Sequence, residues 1–361
     1  MIRLNWKHVA LVLAVLPFVA ILVAWIGFFN VGASSGHWKI TNWFLHFAMR
    51  SAVRTYALAV DVPGELPRHA IQPAAGHFAR GCAICHGAPG EPRSPSVMRM
   101  LPQPPDLSAA VGQWTDAQLF RIAKHGIRFT GMPAWPTLDR DDEVWAMVAF
   151  LRDLPSLDAQ AYRELAYGPG RLIDDARTSR FERALGSCIR CHGQDGLGRS
   201  PVTPMLAGQK EAYLLESLRA YQRNDRASGV MTLAVTGVEP EDLPELARYF
   251  AGLPQPAIRV KANDSDLAAA GAAIAERGRP SDRIPACLGC HGSGRNPAYP
   301  RLDGLDPTYI RTQLQLFRAA RRGGTQYSHL MEVAARELDD RDIEALAAYF
   351  ASRPATVGKT D

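Results

Sequence analysis

The chain has 361 residues, too many for one ordinary domain and suited to two or three units. It is 47% hydrophobic and 21% charged, with neither an acidic nor a basic tail, as a globular protein is. A net charge of +5 gives no argument for nucleic acid, and none is expected as a partner.

From Val9 to Phe29 the chain runs without a charge. That is enough to cross a bilayer as a helix, which takes about 20 apolar residues. Pro17 inside the run is compatible with a membrane helix. Arg3 and Lys7 precede it, so the positive-inside rule puts Met1 in the cytoplasm and everything after Phe29 outside. A cleavable signal is the rival, with Val31-Gly32-Ala33 as a passable cleavage site, but the run is longer than a secretory h-region. Residues 1–30 are therefore expected to anchor the chain in a bacterial-type cytoplasmic membrane, with the remainder on the periplasmic side.

Residues 31–69 follow as an interfacial helix and linker. Between His37 and Leu58 the spacing predicts a helix with Trp38, Trp43, Phe44, Phe47 and Tyr56 largely on one side and Lys39, Arg50 and Arg54 nearby. The mixture suits a helix lying at the membrane surface. It would equally suit packing on a partner subunit or on the first domain.

Six cysteines then fall in three Cys-x-x-Cys-His motifs: Cys82, Cys85 and His86; Cys188, Cys191 and His192; Cys287, Cys290 and His291. Two thiols three positions apart can form thioethers to the two vinyl groups of one haem, and the adjoining histidine reaches the iron. A structural zinc site takes four ligands, typically from pairs close in sequence, whereas these pairs stand about a hundred residues apart. Redox Cys-x-x-Cys pairs require neither the histidine nor three copies. The motifs predict three covalently bound haem c groups, whose attachment is normally made outside the cytoplasm. Gly87, Gly193 and Gly292 follow the three histidines, where a tight turn is expected.

Each motif opens a repeat. Pro105-Asp106-Leu107, Pro204-Met205-Leu206 and Pro300-Arg301-Leu302 come after it, then a methionine in a loop: Met132, Met231 and Met331. The His-to-Met separations are 46, 39 and 40 residues, and each unit closes on a helical pattern opened by acidic residues, at 141–151, 241–253 and 339–351. Helices are also expected at 181–187 and 267–278, ahead of the second and third motifs. The boundaries are 70–155, 179–255 and 264–355 for the units, with 156–178 as a linker.

Each unit resembles a class I cytochrome c domain, which implies an all-α fold of small domains behind the transmembrane helix. The resemblance implies that the carbonyls of Pro105, Pro204 and Pro300 orient the three haem histidines. His86, His192 and His291 are the implied proximal ligands, with Met132, Met231 and Met331 as the distal ones. His125 and His329 are the alternative distal ligands in units one and three, and Met205 the competing methionine in unit two. Units two and three resemble the paired domains of periplasmic dihaem cytochromes; compare Ala-Tyr-Leu at 212–214 with Thr-Tyr-Ile at 308–310. Unit one, with Gly131-Met132-Pro133, is more similar to a soluble monohaem domain or one from an oxidase subunit. Arg219, Arg223, Arg226, Arg318, Arg321 and Arg322 are either propionate partners or solvated helix residues.

The whole arrangement resembles the cytochrome subunits of membrane-bound quinoprotein and flavoprotein dehydrogenases, although their anchor is expected at the C-terminus. His/Met ligation saturates the iron and raises its potential, which favours electron transfer over catalysis. The expected role is a non-enzymatic relay from a dehydrogenase or quinol-oxidising partner to quinone, a soluble cytochrome or an oxidase. A subunit of a haem-copper terminal oxidase or bc-type complex is the second reading, and a multihaem peroxidase the third.

Overall fold

The computed structural model describes residues 5–27, 30–169, 178–256, 265–292 and 294–354. Among these the protein is all-α, with no β-strand and only isolated bridges at Ala88–Glu91 and Arg279–Ile284.

Helix α1 (Trp6–Trp25) starts at Asn5, whose side chain accepts from the Lys7 N–H. It is long and apolar enough to cross a membrane, and none of it is buried against the protein. Arg3 and residues 28–29 of the apolar run lie outside the described residues. Helix α2 (Lys39–Ala57) divides its faces. Val53 and Ala57 are buried, Arg50 donates to Gln113 and lies over Trp114, and Arg121 lies over Tyr56. Trp38, Trp43, Phe44 and Phe47 are left exposed. The helix thus packs on the first unit with one face and presents aromatic surface with the other.

The first unit comprises α3 (Ile71–Gly81), α4 (Ala83–His86), α5 (Leu107–Ala110), α6 (Asp116–His125), α7 (Asp141–Asp153) and α8 (Ala159–Tyr167). Helices α3 and α7 pack together over Phe78, Val144 and Phe150, each fully buried. Thr115 and Gln118 form a reciprocal capping box that starts α6. Helix α8 lies in the stretch expected as a linker, but it packs on α3 and places Tyr162 and Ala166 in the first core. Asp158 fixes its start by accepting from the Gln160 and Ala161 amides. Most of the remaining expected linker, 170–177, lies outside the described residues.

The second unit holds α9 (Arg180–His192), α10 (Glu211–Gln222), α11 (Gly229–Val235) and α12 (Leu243–Gly252). The third holds α13 (Ser265–Arg277), α14 (Leu288–His291), α15 (Pro307–Arg318), α16 (Ser328–Ala335) and α17 (Asp340–Ser352). Capping boxes at Ser179/Glu182 and Asp339/Asp342 start α9 and α17. Helix α9 runs on through the whole second motif, well beyond the expected 181–187, because Gly186 keeps a helical backbone within it and the chain turns only at Gly193, with φ 75°.

The units are packed against one another. Gln72 of α3 donates to the Arg190 carbonyl at 3.1 Å, and Arg80 reaches Ser187 Oγ at 2.8 Å and the Thr236 carbonyl at 2.7 Å. Met205 and Ala207 of the second unit lie within the hydrophobic core of the third.

Candidate haem-binding sites

Each Cys-x-x-Cys-His motif sits at a helix turn that brings its two cysteines and histidine to one place: around α4, at the end of α9, and around α14. His86 Nδ1 is 2.8 Å from the Pro105 carbonyl, His192 Nδ1 3.1 Å from that of Pro204, and His291 Nδ1 2.9 Å from that of Pro300. A carbonyl can only accept, so each Nδ1 carries the proton and each Nε2 keeps a lone pair for a metal. Burial lowers the pKa of all three rings, with the proline hydrogen bond opposing it, and brings His192 down to about 4. The rings are therefore neutral, the form a metal ligand needs.

Gly87 and Gly193 turn with φ of 72° and 75°, as expected of glycine. Gly292 does not: its φ is −68°. What requires glycine there is space, since a Cβ would collide with the Leu288 carbonyl. The cysteines are unpaired thiols. Burial pushes the thiols of Cys82 and Cys188 up to about 12 and that of Cys287 to about 11.

One apolar cavity of about 720 Å³ is lined by both the second and third motifs. Cys188, Cys191, His192 and Met231 face it from one unit, and Cys287, Cys290, His291 and Met331 from the other. Met331 Sδ is 3.5 Å from His291 Nε2, while the neighbouring His329 is exposed and outside the lining. Met205 also lines the cavity but is packed within the third core. In the first unit, Met132 lies in an irregular loop, its N–H donating to Thr130 Oγ1 and its carbonyl accepting from Ile127. His125, at the exposed C-terminal end of α6, lies at the start of that loop.

Of the six candidate arginines, Arg226 and Arg322 line the cavity. They come from different units and converge on the Tyr213 hydroxyl, at 3.4 and 3.0 Å, and Arg226 also donates to Ser217. Burial pushes the Tyr213 phenol up, but the two guanidiniums outweigh it and bring the pKa to about 7. These two cations are placed to hold carboxylates such as haem propionates. Arg223 and Arg318 instead pair with Asp225 and Asp340. Tyr213 and Tyr309, which also lines the cavity, were not singled out in the sequence, although they occupy matching places in the repeated Ala-Tyr-Leu and Thr-Tyr-Ile.

Paired thiols and a neutral imidazole with a free Nε2 recur at all three motifs, and in the third a thioether stands 3.5 Å from that nitrogen; the set fits covalently bound haem c. Helical units built around such sites define a multidomain cytochrome of the class I type, a carrier of electrons. The chain belongs to the cytochrome c family. The family of cbb3-type cytochrome c oxidase subunit III matches residues 69–151, and the cytochrome c family matches residues 268–354. Cytochrome c4 of Azotobacter vinelandii is 37% identical over 196 residues, 51% of this chain and 91% of the relative. A thiosulfate dehydrogenase electron acceptor of Thiomonas intermedia is 31% identical over 178 residues, 48% of this chain and 82% of the relative. The crystal structure of reduced cytochrome c4 from Pseudomonas stutzeri is 31% identical, with a TM-score of 0.44, covering 50% of this chain and 98% of that one.

Proposed function

We propose that the chain binds three haems, one on each Cys-x-x-Cys-His motif, and relays electrons between them. His86 and Met132, His192 and Met231, and His291 and Met331 are the axial pairs. The observation that carries this reading is the shared cavity, which puts two of the motifs on one continuous apolar space. Haem c supplies a one-electron iron couple, and the protein's part is to hold it with both axial positions filled, which disfavours substrate binding and favours transfer. Pro105, Pro204 and Pro300 fix the ring orientation of the proximal histidines, and Arg226 and Arg322 neutralise propionate charge between units two and three.

Helix α1 anchors the chain in the cytoplasmic membrane, with the haem units on the periplasmic side. The exposed aromatic face of α2, with Lys39 and Arg54 on the same helix, then lies against the lipid headgroups. Electrons enter from a periplasmic or membrane-bound dehydrogenase. The similarity to electron acceptors named for thiosulfate dehydrogenase supports such a partner. Delivery to or within a terminal oxidase is the second reading, favoured by the match of residues 69–151 to an oxidase subunit family.

The test is purification of the full chain from membranes in mild detergent, followed by haem quantification and reductive titration. Three haems per chain and three one-electron steps are expected, with a dehydrogenase co-purifying. Fewer haems would overturn the relay as drawn, and oxidase subunits in the eluate would favour the second reading.

A further inference from the structure

Glu143, in the first turn of α7, belongs to the first unit, yet its carboxylate serves the second. Its side chain is only 9% exposed. Oε2 accepts from the backbone amides of Gly229 at 2.7 Å and Val230 at 3.3 Å, the first two residues of α11. Oε1 accepts from Ser228 Oγ at 2.6 Å, and Ser228 Oγ in turn accepts from the Met231 N–H at 3.1 Å. The Gly229, Val230 and Met231 amides are orphan donors of a helix start, and a charged carboxylate accepts from such donors more strongly than a neutral oxygen does. The same Oε2 accepts from Trp135 Nε1 at 3.3 Å, and Trp135 follows Met132 by three residues in its loop. Arg140 holds Glu143 from behind at 3.1 Å and also donates to the Ala227 carbonyl at 3.0 Å. Gly229 lies so close to the Trp135 indole that a Cβ there would collide with it. The third unit offers a contrast. Helix α16, which carries Met331, starts at Tyr327 with no side-chain cap.

We propose that Glu143 is a positioning residue acting across the unit boundary: it fixes α11, and with it the Met231 thioether, and ties that helix to the Met132 loop through Trp135. The inference rests on Met231 being the distal ligand of the second haem. Removing the carboxylate frees three donors at the start of a seven-residue helix, whose hold on Met231 then weakens. A methionine that leaves the iron part of the time lowers that haem's potential and its share of the thioether-to-ferric-iron charge-transfer band.

The experiment compares Glu143→Ala, Ser228→Ala, Met231→Ala and Met331→Ala in the full holoprotein, reading that long-wavelength band and the separate midpoint potentials. Met231→Ala and Met331→Ala should each remove one haem's share of the band. Glu143→Ala should reduce the share that Met231→Ala removes and lower the same midpoint, with no added loss in the double variant. Ser228→Ala should act in the same direction more weakly, and it carries the test if Glu143→Ala does not fold. An unchanged band in Met231→Ala would show that the ligand assignment is wrong. Loss of band in Met231→Ala, with wild-type band and potentials in Glu143→Ala and Ser228→Ala, would overturn the positioning role alone.

Discussion

Gln209 of the second unit and Arg301 of the third are joined by two reciprocal hydrogen bonds. Gln209 Nε2 donates to the Arg301 carbonyl at 3.0 Å, and its Oε1 accepts from the Arg301 N–H at 2.8 Å. Gln209 is buried, so its amide acts there as a piece of backbone, pairing both polar groups of a residue that follows the haem proline Pro300. Gln209→Ala leaves both groups without partners and is expected to cost about 2 kcal/mol. Chemical denaturation of the holoprotein checks this. A midpoint unchanged from the parent would mean that the contact contributes nothing to joining the units.

His77 gives a pH dependence. It is buried in α3, stacked on Trp135 with ring centroids 4.1 Å apart, and its Nδ1 has no hydrogen-bond partner among the described residues. Burial lowers its pKa from 6.5 to about 4. Between those values the unfolded chain binds a proton that the folded one does not, so stability is full above pH 6.5 and falls as pH drops toward 4, by up to about 3 kcal/mol. His77→Phe keeps the ring stack and should remove this loss, leaving stability near pH 8 equal or higher. Denaturation midpoints at pH 8 and pH 5 measure it, and equal acid losses in both proteins would show that His77 is not the group responsible.

The motifs and the closing helices were legible in the sequence because each depends on spacing along one segment, whereas the proline acceptors followed from the resemblance to class I cytochrome c domains. The two helices expected before the second and third motifs form, the first of them extended. What joins the units was not legible. Glu143 read only as one of three acidic residues opening a helix, and nothing in DDEVWAMVAFL indicates that its carboxylate caps a helix 86 residues away. Met205 read as a methionine beside a haem proline, and its place in another unit's core follows from packing alone. Helix α8 has a strong side-chain cap in Asp158, but the stretch lies outside every repeat, so no spacing in it marks it off from a connection.

Gly271 marks the closest approach of α13 and α17. A Cβ there would run into the Ala345 carbonyl and the Tyr349 side chain. Backbone cannot yield as a side-chain tip can, so Gly271→Ala should destabilise the third unit by about 1–3 kcal/mol. Gly186, inside α9, has nothing within 4 Å of such a Cβ, and Gly186→Ala should be neutral or stabilise by up to about 1 kcal/mol. Thermal unfolding of the two variants side by side tests the pair, and equal effects would contradict the crossing geometry.

Replacing Cys188 and Cys191 together by alanine should lower haem content by one per chain and leave the other two attached. Because His192 and His291 open on one cavity, the midpoint assigned to the third unit should also move. Haem quantification with redox titration reads both effects. An unmoved third-unit midpoint would mean that the two sites are electrically independent despite the shared space.

That shared space also sets an order of events during maturation. Its lining comes from all three units, with Trp145 and Ala146 contributed by the first. A planar macrocycle has to be threaded in and bonded to two thiols while those walls stand apart. Attachment is therefore expected before the units dock, with closure around the macrocycle as the last step. A chain that docked early would still show Cys290 at the surface, but the far walls of the space would already stand in place, leaving it mature in fold and colourless in spectrum.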